Sequence, residues 1–233
     1  MKKKLVSYML VVCMLLSMLP TTVWAEDVAT SSDVEPLAAT PTNLDIANGS
    51  IVIEADGYTQ GENEKVLYEG DYIITQTDAA TATANAITVT GGNPIITLSG
   101  VNINDNIITI EQSATLVLEG ENKVVKTGGN NPPVYIKNGA TLTIKVPDGK
   151  ADDYGSLIAD GSGSIYLSGI GGSTTVHGGS LVIDSGTVTA KGGKDTGGIS
   201  PVNSMAGMNN ITINGGVYGT TVIRAQDVTL NNV

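Results

Sequence analysis

The chain has 233 residues, with 12 basic and 23 acidic side chains and a formal charge of −11. It contains 29 Gly, no Phe, and a single Cys, Trp and His. So acidic a chain lacks the clustered positive charge that nucleic acid or anionic lipid requires, and neither is expected as a partner.

Lys2, Lys3 and Lys4 open the sequence, and Leu5 to Leu19 is apolar except for Ser7, Tyr8 and Ser17. Pro20 and then Val23-Trp24-Ala25 follow, with small residues where a signal peptidase reads. Residues 1–25 therefore read as a secretory signal peptide. Its apolar run is short for a membrane span, so a secreted, extracellular or surface-associated protein is expected, with no membrane insertion after cleavage. Cleavage would remove Cys13, Trp24 and three lysines, leaving nine bases against 23 acids, a formal charge of −14. Without Cys the mature chain has no disulfide and no thiol chemistry. Without Phe or Trp its core must be built from Val, Ile, Leu and Ala, which favours a narrow core of β-branched rungs.

Residues 26–50 are acidic and rich in Ala, Thr, Ser and Pro, and read as a flexible leader. Residues 51–233 read as one β domain. Apolar pairs recur with one residue between them: Ile51/Ile53, Ile87/Val89, Ile96/Leu98, Val101/Ile103, Ile108/Ile110, Leu116/Leu118, Leu142/Ile144, Leu181/Ile183, Val188/Ala190, Ile211/Ile213 and Val228/Leu230. That is the alternation of strands with one buried face. The intervening residue is Thr at 88, 97, 109, 143, 189, 212 and 229, a β-branched residue suited to the outer face. Gly pairs such as Gly91-Gly92, Gly128-Gly129 and Gly215-Gly216 fall between the bursts as corners. Ala114–Leu118 is matched by Ala140–Ile144, 26 residues later. Asn102, Asn104, Asn106, Asn209, Asn210 and Asn214 are candidates for side-chain ladders at stacked turns.

Strands this short cannot each bury a face alone. Stacked coils of roughly 20–26 residues, about three strands each, would give one continuous core, with about eight coils. The expected fold is all-β, a parallel β-helix. The alternative is an antiparallel β-sandwich, for which Asn-Gly at 48–49 and 138–139, and Asp-Gly at 56–57, 148–149 and 160–161, supply hairpin signatures. The strand ending at Leu230 has no cap behind it, so further coils or self-association at that end is expected.

Two stretches carry a resemblance to a known group. One is Gly70–Thr75, Ile87–Gly92 and Ile96–Ile103; the other is Ser168–Gly172, Gly178–Lys191, Gly197–Ser200 and Ile211–Val217. They resemble secreted right-handed parallel β-helix proteins of clostridia-like Gram-positive bacteria, among them carbohydrate-binding β-helices and glycine-rich, adhesin-like surface proteins. The resemblance implies a right-handed winding and extracellular or cell-wall polysaccharide as partner. One branch of the group uses calcium.

The chemistry-bearing residues are few. His177 stands in a corner context with no Gly-x-Ser-x-Gly elbow, which reads as a solvated turn histidine rather than a triad base. Arg224, the single Arg, has Asp227 as its nearest acid in sequence. No catalytic residue is assigned, and a non-enzymatic role in adhesion, display or carbohydrate binding is expected. The alternative is a polysaccharide lyase or glycoside hydrolase on the same fold. Asp148, Asp152, Asp153 and Asp160 are hard oxygen ligands in a Gly-containing stretch and would suit calcium. Their spacing matches no calcium loop, so a solvated acidic segment is the plainer reading, and no cofactor is required. Tyr135, Tyr154 and Tyr166 are the candidate sugar platforms, because Tyr135 and Tyr166 stand between apolar neighbours and should point outward.

Overall fold

The computed structural model describes residues 40–199, 208–220 and 225–230. Residues 1–39, which hold the expected signal peptide and most of the expected leader, and Arg224 lie outside the described residues. The protein is all-β, with 47% strand and 4% helix. Among the described residues no helix is long and apolar enough to cross a membrane.

In chain order the strands are β1 (Thr42–Asp45), β2 (Ile51–Glu54), β3 (Gly57–Gln60), β4 (Val66–Leu67), β5 (Tyr72–Thr75), β6 (Ile87–Val89), β7 (Ile95–Ser99), β8 (Asn102–Asn104), β9 (Ile108–Ile110) and β10 (Ala114–Val125). They continue as β11 (Val134–Ile136), β12 (Thr141–Lys145), β13 (Gly155–Asp160), β14 (Ile170–Gly171), β15 (Ser180–Ile183), β16 (Thr187–Lys191), β17 (Met208–Ile213), β18 (Val217–Thr220) and β19 (Ala225–Leu230). Short 3-10 turns occupy Ile46–Asn48 and Asp152–Tyr154.

The strands pair into a twelve-stranded and a seven-stranded sheet. The principal ladder runs β1-β5-β7-β10-β12-β15-β17-β19. A second runs β14-β11-β9-β6-β2. A third joins β8, the C-terminal half of β10, β13, β16 and β18. From β7 onward the chain visits the principal, third and second ladders in turn, and every pairing in these ladders is parallel. An antiparallel sandwich is therefore overturned. Among the described residues antiparallel pairing is confined to the β2-β3-β4 meander, where Ala55-Asp56 links β2 to β3, and an isolated bridge between Lys137 and Gly178. The other hairpin signatures are corners between ladders instead: Gly139 (φ 90) separates β11 from β12, and Gly149 (φ 79) follows β12.

Alternation explains the core. Tyr72, Ile96, Leu116, Ile144, Ile183 and Ile213 are in register along the principal ladder and all are buried. Ile51, Ile87, Ile108, Val134 and Ile170 form the matching row of the second ladder, and Ile103, Val124, Ala159 and Ala190 that of the third. Each Ile or Leu taken wholly out of water contributes about 1.5–3 kcal/mol. The aliphatic core expected from composition is present, and Tyr72 is the only aromatic residue among the buried hydrophobics described. Thr88, Thr97, Thr109, Thr143, Thr189 and Thr212 are each half-buried, on the outer face.

Three details differ from the expectations. The leader boundary at residue 50 is too late, because β1 already pairs with β5 and Leu44 and Ile46 are buried. The spacing between rungs is uneven, from 17 residues (Ile213 to Leu230) to 39 (Ile144 to Ile183), because the chain inserts a 3-10 turn and long loops at some corners. The internal repeat is also out of register with the ladder. Leu116 pairs with Ile144 rather than Leu142. A shift of two keeps the same face inward, so the hydrophobic pattern cannot tell the two registers apart.

The Asn side chains do not stack chiefly on one another. Asn85, Asn102 and Asn106 donate to carbonyls of Ile46, Ala79 and Ala84, at 2.8, 2.8 and 2.7 Å. Asn209 donating to Asn138 Oδ1 at 3.0 Å is an Asn–Asn contact.

Candidate functional site

A cavity of about 370 Å3 opens where three segments meet: Glu54-Ala55 at the end of β2, Tyr68–Tyr72 leading into β5, and Gly92–Ile95 leading into β7. Such a volume falls within the range of small-molecule sites, about 300–1,000 Å3. The walls follow from local sequence. Gly92 (φ 84) and Asn93 (φ 49) are both in the left-handed region, which Gly and Asn tolerate best, and Pro94 then turns the chain into β7. The corner lies against the β2–β3 link so tightly that a Cβ on Gly91 would stand 2.8 Å from the Ala55 nitrogen.

One side of the cavity is aromatic. Tyr68 meets Tyr72 edge-on, with ring centroids 5.2 Å apart, and Tyr58 meets Tyr72 from β3 at 5.9 Å. Tyr68 is held by its hydroxyl, which is 2.8 Å from the Thr40 carbonyl and 2.9 Å from that of Asp71 and donates to this pair. Tyr72 is 2% exposed. Among the described residues the buried side-chain atom without a hydrogen-bond partner is Ser168 Oγ.

Glu54, Glu69 and Asp71 are also among the lining residues, and no Lys, Arg or His is. Lys65 is bonded to Glu54 of the lining and to Asp56 outside it. The Lys65 ammonium holds the Asp56 carboxyl below its ordinary value, and the two carboxylates raise the Lys65 amine above its own.

Burial, then the phenols of Tyr68 and Tyr58 and the Asp56 charge, push the Tyr72 hydroxyl from 10.0 up to about 12. The folded value lies above the unfolded one. The contribution of Tyr72 to stability is therefore complete below pH 10 and is lost as pH rises through about 12. A tyrosinate absorbance titration should show one late step that Tyr72→Phe removes. An unchanged curve in that variant would refute this assignment.

The sequence-predicted platforms are not brought together. Tyr135 lies in β11, in one outward row with Thr88, Thr109 and Gly171 of the second ladder. Tyr154 ends the 3-10 turn before β13, with Lys150 Nζ 4.7 Å above its ring. Tyr166, 58% exposed, lies in the loop between β13 and β14. The ring–ring contacts among the described residues involve Tyr58, Tyr68 and Tyr72 instead.

The four aspartates are likewise spread out. Asp148 pairs with Lys145 at 2.9 Å. Asp152 accepts from the Gly186 nitrogen at 3.0 Å, and Asp153 is exposed in the same 3-10 turn. Asp160, at the end of β13, accepts from Ser162 nitrogen at 3.0 Å and lies 3.5 Å from Lys191. Burial works to raise its value, but the Ser162 hydrogen bonds and Lys191 outweigh it and hold the carboxyl below the ordinary range. Among the described residues no group of three or more His, Cys, Asp or Glu could hold a metal ion. His177 is half-buried between β14 and β15.

Sequence reasoning missed Tyr68 and Tyr72 as site residues. The signal was there in Tyr68-Glu69-Gly70-Asp71-Tyr72, two phenols and two acids in five positions. Comparison with protein-family models, curated proteins and solved structures found no match to this chain.

Proposed function

We propose that this is a secreted, non-enzymatic, carbohydrate-binding protein built as a right-handed parallel β-helix. The repeating visit to three parallel ladders supports the winding, and Lys2–Ala25 supports secretion. The observation that carries the binding role is the cavity. Its lining combines the half-buried Tyr68 ring with acidic residues, a pairing suited to stacking on the apolar face of a pyranose and accepting its hydroxyl protons. It lies on the paired part of the fold, where strand registers fix its walls. An adhesion or display role is the same activity used at a cell surface.

The test is binding of the purified protein to a glycan array, with and without calcium. Retention of one or more glycans is expected, without release of new reducing or unsaturated ends. Absence of binding in both conditions would remove the carbohydrate reading. Release of such ends would replace the binding role by a hydrolase or lyase, for which carboxylates around a cavity are the usual machinery.

A further inference from the structure

Asn-Gly occurs three times in the chain, at 48–49, 138–139 and 214–215. In such a pair the backbone nitrogen of the glycine can attack the asparagine side-chain amide, because no Cβ crowds the approach. The fold treats the three pairs differently. At the first, the Gly49 nitrogen donates to the Ile46 carbonyl at 3.4 Å, and a Cβ on Gly49 would stand 2.7 Å from the Gly61 Cα, so nitrogen and backbone are both held. At the third, Asn214 Nδ2 donates to Asp184 Oδ1 at 2.5 Å. A carboxylate against the amide opposes the negative charge that attack would place there.

The middle pair is open. Lys137–Ala140 is a tight turn between β11 and β12, closed by the Ala140 nitrogen donating to the Lys137 carbonyl at 3.0 Å, with Gly139 left-handed at φ 90. Its ends are anchored: the Lys137 nitrogen donates to the Ile110 carbonyl and the Ser180 nitrogen to the Ala140 carbonyl, both at 2.8 Å. The peptide between them is not. Asn138 and Gly139 are exposed, and nothing beyond its chain neighbours lies within 4 Å of a Cβ added to Gly139. Among the described residues the Gly139 nitrogen is in no hydrogen bond. Asn138 Oδ1 accepts from Asn209 Nδ2 at 3.0 Å, so a donor already stands at the oxygen on which charge collects during attack.

We propose that Asn138 is a modification site, where the folded protein deamidates itself with water as the only co-reactant and Asn209 polarising the amide. The Gly139 nitrogen gives up its proton and bonds to Asn138 Cγ. The Cγ–Nδ2 bond breaks, and Nδ2 leaves as ammonia with that proton. Water then opens the cyclic imide at either carbonyl. Opening at Cγ gives aspartate; opening at the Asn138 main-chain carbonyl gives isoaspartate, with the chain running through Cβ and Cγ. No step is a redox step. Either product adds a negative charge at the corner between the second and principal ladders. None of this depends on what the cavity binds.

The experiment is incubation of the purified protein at mildly alkaline pH, folded and in denaturing urea, followed by digestion and mass spectrometry of the three Asn-Gly peptides, with aspartate and isoaspartate resolved by chromatography. In the folded protein Asn138 is expected to convert about tenfold or more faster than Asn48 and Asn214, and in urea the three rates should converge. Asn209→Ala should slow conversion of Asn138 about threefold when folded, the scale of one hydrogen bond, and leave it unchanged in urea. Equal rates at the three sites of the folded protein, or faster conversion at Asn48 or Asn214, would overturn the assignment of Asn138. An unchanged or higher rate in folded Asn209→Ala would overturn the role of Asn209.

Discussion

Replacing Asn122 by Leu should lower the stability of the domain by about 3–5 kcal/mol, although Leu is nearly the same size and the site is buried. Asn122 is fully buried on an inward position of β10, in register with Leu157 of β13 and, through it, Val188 of β16. Its Oδ1 accepts from the Val101 nitrogen at 3.0 Å, and its Nδ2, with two hydrogens, shares them among the carbonyls of Leu98, Glu119 and Ser156 at 3.1–3.2 Å. One amide thereby ties together the chain after β7, the bend within β10 and the start of β13. Leucine supplies apolar contact but leaves backbone groups unpaired, each at about 1–3 kcal/mol. Urea denaturation of the two proteins measures the difference. A loss below about 1 kcal/mol would mean that water or a shifted backbone replaces the amide, and that Asn122 is not the knot described here.

Gly155→Ala should cost about 3 kcal/mol or more, for a reason of space rather than backbone freedom. Gly155 has an ordinary extended conformation, φ −144 and ψ 145, so alanine is not strained by its dihedrals. An added Cβ would lie 2.1 Å from the Leu118 carbonyl oxygen and 2.4 Å from its carbon. Both belong to the backbone of β10 just before Gly120, the residue paired with Gly155, so nothing flexible can yield. Gly128→Ala is the control, since no atom lies within 4 Å of its added Cβ and its backbone is unstrained. Its effect should stay within about 0.5 kcal/mol. Thermal or urea unfolding of the pair decides the matter, and equal stabilities would refute the close approach of β10 and β13.

Much of the strand content was legible because a half-buried strand has period two, and a row such as Ile108-Thr109-Ile110 states its inward face directly. What was not legible depends on distance along the chain. The Ala114 and Ala140 segments look alike, yet the ladder joins them two residues out of step, and either register buries the same face. The Asp56-Gly57 signature was read as a mark of an antiparallel fold, and it makes one local hairpin attached to an otherwise parallel ladder. The leader boundary failed because Leu44 and Ile46 are a single apolar pair beside Pro41, too short to count as a pattern until β5 covers them.

The site was hidden for the same reason. Tyr135 and Tyr166 were singled out by their immediate neighbours, as outward residues between apolar ones. Tyr72 has apolar neighbours on one side only, and its value to a site comes from contact with Tyr58 and Tyr68. The opposite wall, Gly92–Ile95, is brought to Tyr72 by the register that pairs Tyr72 with Ile96. No local pattern contains that register. The acidic composition was informative about partners it disfavours, whereas the gathering of Glu54, Glu69 and Asp71 around one cavity needed the fold.

The central claim is that the Tyr68–Tyr72 cavity, and not the outlying tyrosines, is where the protein takes its ligand. The direct measurement is the affinity of one array-positive oligosaccharide for the wild-type protein, Tyr68→Ala and Tyr166→Ala, with far-ultraviolet circular dichroism confirming that all three are folded. Loss of a ring that faces the ligand should weaken binding about tenfold in Tyr68→Ala, the scale of an aromatic contact together with its buried area, and leave Tyr166→Ala unchanged. Unchanged affinity in Tyr68→Ala, or loss confined to Tyr166→Ala, would contradict the account.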